Sequence, residues 1–456
     1  MSPATPTLAA RIAAFVSGID TATLPPEIVE RARACLLNGY GIALGCFTTP
    51  YAPVARRAAL AMDGQQPGGA TLLGDGRRST VAGAALANSA LFHGRAQEDT
   101  CGAAHLGAIM IPLLTALVET GRAPMARLLP ALVAGYEAGG LIEQAYSAQT
   151  TPAGLRASPL YGTIAAAAAA ARLLALPAAQ VAAALANAAS FAGGILQSFE
   201  DGTDEWRYQV GVAGQLGWVA ASLAQAGSVA APQAFEGRAG FVRAFARQHC
   251  DVEALAARLG RDWSIQRVTF KPFPVCAFNQ TPVTAALALR ERIGGRGIRQ
   301  IRVRMHPYEA GYAGMDGRGP FHSLSGTLMS IPFCIANTLA RGAPTIVDMT
   351  TYDDPAVAAL MQRIELIADE AVARLCCVIE ATLADGSSLL QDQRMSVADY
   401  AYDRQRVAQL VRRVGAESGV SAAVYQRLEA IADAPERAAV GELIGCFAQA
   451  AADAKA

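Results

Sequence analysis

The chain holds 456 residues, 52% apolar and only 17% charged, with Lys plus Arg and Asp plus Glu both at 38. A formal charge of zero excludes a basic field that would gather nucleic acid or an anionic membrane surface non-specifically, so neither partner is expected and any pull on an anion must be local. The length suits about two or three domains. So little charge on so long a chain points to a large buried core, with apolar surface left for contact with a second subunit.

The start, MSPATPTLAARIAAF, lacks a basic n-region followed by a leucine-rich run, so no signal peptide is expected. Leu8, Ile12 and Phe15 mark a helix ending near Gly18, and a second opens after TLPP, where proline suits a first turn. Helical patterns then run almost without break to about residue 262, through LANSALFHGR, IPLLTALVETGR and LLPALVAGYEAGGLIEQAY. The most apolar stretch, TIAAAAAAARLLALPAAQVAAALANAASFAGGIL, is broken by Arg172, Pro177, Gln180 and Asn187. Built mostly of weakly hydrophobic alanine, it reads as a soluble core with closely approaching helices, not as a membrane span.

Near Trp263 the pattern changes. SIQRVTFKPF and IRQIRVRMHP alternate in strand fashion around the helical AALALRERIGG, and CCVIEATLADGSSLLQDQ reads as a hairpin about DGS. From VADYAYDRQRVAQLVRRV onward the chain is helical again. The expected fold is mainly α: a large all-α helical domain formed by both chain ends, with an inserted α+β lid domain. The boundaries are 1–263 for the first helical part, 264–396 for the lid, and 397–456 for helices that pack back on the first part.

The nine cysteines (35, 46, 101, 250, 276, 334, 376, 377 and 446) show no CxxC and no paired Cys/His spacing. They read as reduced thiols of a cytoplasmic protein, and no zinc site is expected. There is no GxxxxGK[ST], no strand-bound GxGxxG, no GxSxG and no HExxH. Nucleotide binding and metalloprotease chemistry therefore have no support.

Four polar islands stand out in this apolar chain. FHGRAQEDTCGAAH, residues 92–105, packs His93, Arg95, Glu98, Asp99 and His105 between two helical flanks. It is either a self-satisfied polar loop or a functional cleft, because unpaired burial of such groups costs several kcal/mol each, roughly. GLRASPLYGT places Arg156 and Tyr161 at the start of the alanine helix. SFEDGTDEWRYQVG carries Trp206 and Arg207, and reads on its own as an acidic helix start. FKPFPVCAFNQTP carries Lys271, Cys276 and Gln280. Taken alone, Cys276 reads as a buried thiol rather than a nucleophile.

In their order these segments resemble the MmgE/PrpD family. The resemblance rests on LLNGYGIALGC, ALANSALFHG, EDT, HLGAIMIPLLTALVE, ALVAGYEAGGLI, YGTIAAAAAAARLLAL, WRYQVGVAGQLG, FEGRAGF, KPFPVCAFNQTPVTAALAL and SLSGTLMSIPFCIANTLARG. It covers nearly the whole chain. It implies a helical body with an inserted lid, a homodimer, a site between body and lid, a small di- or tricarboxylate substrate, and no cofactor or metal. His93, Asp99, Thr100, His105, Arg207, Lys271 and Cys276 match family positions. Ala96 stands where the family has an acid, Arg156 and Gln280 where it has histidines, and Trp206 where it has a lysine.

The shared first step is removal of a proton next to a carboxylate. That step needs a base tuned near neutral pH and cationic clamps for carboxylate and enolate charge. His105 is the expected base, with Tyr161, His93 and Asp99 as a second proton-transfer group or as groups orienting it. Arg156, Arg207 and Lys271 are expected to bind substrate, with Thr100, Gln280, Cys276, Trp206 and Ala96 around it. Elimination would make the chain a lyase of the dehydratase type. Reprotonation on the other face would make it an epimerase, and loss of the chemistry would leave a scaffold that only binds a carboxylate or a partner.

Overall fold

A computed structural model describes residues 6–454; residues 1–5 and 455–456, which include part of the chain start read above for a leader, lie outside it. Helix takes up 58% of the chain and strands are few, so the architecture is mainly α. At its centre runs the Ala157–Leu173 helix, every residue of which is buried except Arg172. Alanine favours helix strongly and adds little bulk. The helices Leu106–Glu119, Leu128–Thr150, Ala178–Phe191 and Glu205–Gln225 can therefore all pack against it. Gly139 shows how close the approach is, since a Cβ there would lie 2.7 Å from Ala165 Cβ and 2.9 Å from the Tyr161 carbonyl oxygen.

The end of the chain returns to its beginning. Arg404–Glu417 and Ala422–Asp433 pack on Pro26–Leu44, and Tyr425 donates its hydroxyl proton to the Gly41 carbonyl at 3.0 Å. Phe447, on Val440–Asp453, stacks on Phe92 with ring centroids 6.2 Å apart. One hydrophobic core accordingly takes side chains from Leu8 to Phe270 and from Val407 to Ala450.

A second core gathers mainly residues 275–383. Its frame is a four-stranded sheet in the order Ile364–Ala368, Ile298–Met305, Cys376–Leu383, Ser388–Arg394, with the first pair parallel and the others antiparallel. Along Ile298–Met305 the residues Ile298, Ile301, Val303 and Met305 point inward while the arginines between them face solvent. Helices Gln280–Ile293 and Ile331–Arg341 belong to the same core. Tyr51, Ala96, Leu196, Phe199 and Trp206 reach into it from the helical part of the chain.

One local expectation changes, and one strand was not foreseen. The strand read through SIQRVTFKPF shrinks to Val268–Thr269, preceded by a 3-10 turn at Ser264–Arg267. The turn forms because the buried Glu137 carboxylate accepts the peptide N–H groups of Ser264 and Ile265, both at 3.0 Å. The strand Ile364–Ala368 had no alternating run to announce it. Among the described residues no helix is long and apolar enough to cross a membrane, and all nine cysteines are unpaired thiols.

Candidate active site

The helix Val81–Phe92 starts with Thr80 accepting the Gly83 N–H at 2.9 Å and stops at His93. The next long helix, Leu106–Glu119, starts just after His105. Two buried helices thus deliver the polar loop between them, and residues 93–101 are all buried. Its path is fixed by tight backbone. Ala96 has a left-handed φ of 54°, and Lys271 donates to its carbonyl. Gly102 has a φ of 61° and leaves room for the Glu143 carboxylate, which accepts the Ala103 N–H at 2.9 Å. Thr100–Cys101 pairs antiparallel with Val268–Thr269, and that pairing carries Lys271 to the loop.

Glu98 is the hub. Its Oε1 accepts from His93 Nδ1 at 2.7 Å, lies 2.7 Å from His105 Nδ1, and sits 3.7 Å from the Lys271 ammonium. On the far side of His93, Nε2 faces the Arg156 guanidinium at 2.9 Å. A guanidinium can only donate, so His93 is neutral with its proton on Nδ1. Burial also holds His93 well below its ordinary pKa. Burial alone would raise the Glu98 carboxyl, but the Nδ1–H groups of His93 and His105 and the charge of Lys271 together outweigh it and keep the group ionised.

His105 is set by these neighbours. Its peptide N–H donates to Ser158 Oγ at 3.1 Å, and its Nδ1 also lies 3.2 Å from the Asp99 carbonyl oxygen. Two acceptors at Nδ1 place the proton there and leave the Nε2 lone pair unpartnered among the described residues. Burial, and then the nearby Lys271 charge, push His105 down to about 4, so at neutral pH it is an unprotonated base.

Burial lowers Arg156 to about 10, so it remains a cation. It donates to the Trp206 carbonyl, and to Gln209 Oε1 at 3.1 Å. Its guanidinium lies 5.4 Å from the ring centroids of both Phe199 and Trp206.

His93, Glu98 and His105 bring three ligand-type atoms within 4.8 Å of one another. The set suits a metal poorly. His93 already spends its Nε2 lone pair on Arg156, so a metal at Nδ1 would require an imidazolate, and Lys271 and Arg156 add two positive charges beside it.

His105, Arg156, Lys271, Thr100, Cys276, Trp206 and Ala96 all line one cavity, which leaves about 60 Å³ for the centres of water molecules. Five other sequence candidates sit elsewhere. Tyr161 is turned toward Thr150, its hydroxyl 2.8 Å from Thr150 Oγ1, and does not line the cavity. Arg207 lies outside it, donating to the carbonyls of His93 and Gly94 at 2.7 Å each while stacked between Tyr51 and Trp206. It braces the loop and is not placed as a carboxylate clamp. Gln280 folds onto its own turn, accepting the Phe273 N–H at 3.1 Å and donating to the Phe273 and Val275 carbonyls at 3.0 Å each. It holds the segment that carries Cys276. His93 and Asp99 lie one layer behind the wall. Asp99 accepts the Tyr136 hydroxyl, and burial raises its carboxyl to about 7.

Sequence reasoning left Glu98 out of its candidate roles, although EDT was in view. It also missed Ser158, Phe199, Phe278, Tyr312, Leu328 and Met329, which complete the wall. Tyr312 carries no motif, and Leu328 and Met329 lie in the SLSGTLMSIPFCIANTLARG segment, where nothing marks them as site residues.

Fold and site together define a mainly helical protein with a buried cationic pocket, a poised histidine and an aromatic wall. The chain belongs to the MmgE/PrpD family: the MmgE/PrpD N-terminal domain matches residues 10–252 and the C-terminal domain residues 273–414. It is similar to a cis-aconitate decarboxylase of Aspergillus terreus, 25% identical over 76% of this chain and 74% of that protein. A cis-aconitate decarboxylase-like protein, oryM, of Aspergillus oryzae is 28% identical over 58% of this chain and 57% of its own length. This chain thus spans little more than half of the latter relative.

Proposed function

We propose that the chain is a lyase that removes a proton next to a carboxylate of a small di- or tricarboxylic acid. The observation that carries this reading is the unpartnered Nε2 of His105, a residue that lines a cavity together with Arg156 and Lys271. His105 Nε2 takes the proton, and the C–H electron pair passes into the carboxylate as an enolate-like dianion stabilised by the two cations. Those electrons then expel a β-leaving group as the double bond forms, and the His105 imidazolium returns its proton to the departing atom. Bound carboxylate charge raises the proton affinity of His105 from its low resting value, so the base strengthens when substrate arrives. The names of the Aspergillus relatives support the lyase class.

The epimerase reading is favoured by one feature. With Ala96 lacking a carboxyl and Gln280 committed to its turn, the acid positions the family uses are empty here, while Cys276 and Tyr312 line the cavity as alternative proton donors. The test is α-hydrogen exchange in D2O, followed by NMR, with methylcitrate, citrate, cis-aconitate and iminodisuccinate. The lyase reading expects exchange together with growth of unsaturated-acid absorbance, and loss of both in His105→Ala. Exchange without that absorbance overturns the lyase in favour of the epimerase. If none of the acids exchanges and His105→Ala alters stability alone, the chain is a non-catalytic scaffold.

With this function we propose a division into 1–263 and 397–456 as body and 264–396 as lid, supported by the two separate hydrophobic cores. We also propose a homodimer. Val212, Val219 and Leu223 share one face of Glu205–Gln225 and stay exposed, an apolar stripe that a second copy would cover. Nine unpaired thiols suit a reducing cytoplasm.

A further inference from the structure

Two kinds of wall meet in the cavity. The cationic side has donors to spare for two carboxylates. Arg156 uses both Nη1 protons on Trp206 and Gln209 and one Nη2 proton on His93, which leaves its Nε–H and one Nη2 proton. Lys271 gives one ammonium proton to Ala96 and keeps two.

The remaining side offers a third carboxylate no cation, and only neutral donors such as the Tyr312 hydroxyl and the Cys276 thiol. Phe199, Phe278, Leu328 and Met329 have no polar side-chain atom that donates. The single donor of Trp206, Nε1–H, is committed to Ser325 Oγ at 2.9 Å. A carboxylate placed there would exchange its water for a neutral donor at best, with no charge to match its own, whereas an alkyl group would gain contact on several sides.

We propose that the substrate is a dicarboxylate bearing a short alkyl or similar apolar substituent, its carboxylates on Arg156 and Lys271 and its substituent against Phe199, Trp206, Phe278, Leu328 and Met329. This rests on the reading of the cavity as the site of proton abstraction, and it narrows the substrate to dicarboxylates and against tricarboxylates.

Calorimetric titration of the intact protein with succinate, 2-ethylsuccinate and tricarballylate tests it. Ethylsuccinate is expected to bind about 10-fold tighter than succinate, the worth of two buried carbons. Tricarballylate is expected to bind no tighter than succinate. Trp206→Lys places a cation on the apolar wall and should reverse the order of ethylsuccinate and tricarballylate. Where that variant does not fold, the comparison of the three ligands on the unmodified protein still decides. Tricarballylate binding tighter than ethylsuccinate, or an ethyl group that adds nothing, overturns the proposal, as does an unchanged order in folded Trp206→Lys. Failure of all three acids to bind overturns it too. Hydrogen exchange in the candidate acids separates the two levels. Exchange with a tricarboxylate preference sinks this inference alone, and an ethylsuccinate preference without exchange sinks only the chemistry.

Discussion

Replacing Glu98 by Gln keeps the shape of the hub and removes its charge. In the native site the carboxylate lies 2.7 Å from His105 Nδ1 and 3.7 Å from the Lys271 ammonium. It favours the protonated form of His105 and keeps the Nδ1–H tautomer in place. For charge centres about 4 Å apart at an effective dielectric of about 20, the attraction is about 4 kcal/mol, or about three pKa units of basicity. If about half of that loss reaches the rate of proton transfer, catalysis slows about 30-fold. The Gln amide can also turn its NH2 toward His105 and favour the wrong tautomer, which brings the expected fall in kcat to roughly 30- to 300-fold. KM should change less, because Arg156 and Lys271 still hold the carboxylates. The assay is the initial rate of α-deuterium incorporation, with a parallel NMR titration of His105, whose pKa should drop. A Glu98→Gln protein that exchanges within about threefold of the native rate, while His105→Ala does not exchange, would refute the role given to Glu98.

Two further outcomes follow from the same geometry. The base works only unprotonated, so kcat/KM in the free enzyme should rise with pH through about 4 and be level by neutrality. Because His105 has a folded pKa below its unfolded value of about 6.5, the unfolded chain binds more protons between those values. Stability should therefore fall as pH drops across that window, and urea midpoints at its two ends should show less of this fall in His105→Ala. Gly102→Ala forces a side chain into a left-handed position and against the Glu143 carboxylate. A loss of about 2–3 kcal/mol is expected by denaturant titration, and a native-like midpoint would contradict the described loop path.

Much of this was legible because short-range chemistry announces itself. The alanine run, the helices flanking residues 92–105 and the DGS hairpin all follow from local pattern, and the hairpin pairs Cys376 with Arg394 across its open end. Seven candidate side chains meet in one cavity, and His105, Arg156 and Trp206 do so from the starts of helices whose pattern could be read. The rest depends on long-range partners. Glu98 becomes a hub only when folding adds Lys271 from a strand end and Arg156 from the start of another helix. Gln280 reads as a ligand to substrate until its own turn curls back to occupy it. Tyr161 looks like an acid at a helix start, yet its hydroxyl faces Thr150, and Leu328 and Met329 have no charged residue beside them to flag a site.

Ala96, Phe199 and Trp206 line the cavity and are also members of the hydrophobic core formed mainly by residues 275–383. Side chains that shape the cavity are therefore also the mortar between the helical part and the sheet. A substitution that widens the pocket for a new acid removes packing from that joint at the same time. In this chain the shape of the pocket and the firmness of the joint cannot drift independently. Variants selected for a new acid should show shifted denaturant midpoints even where affinity is unchanged.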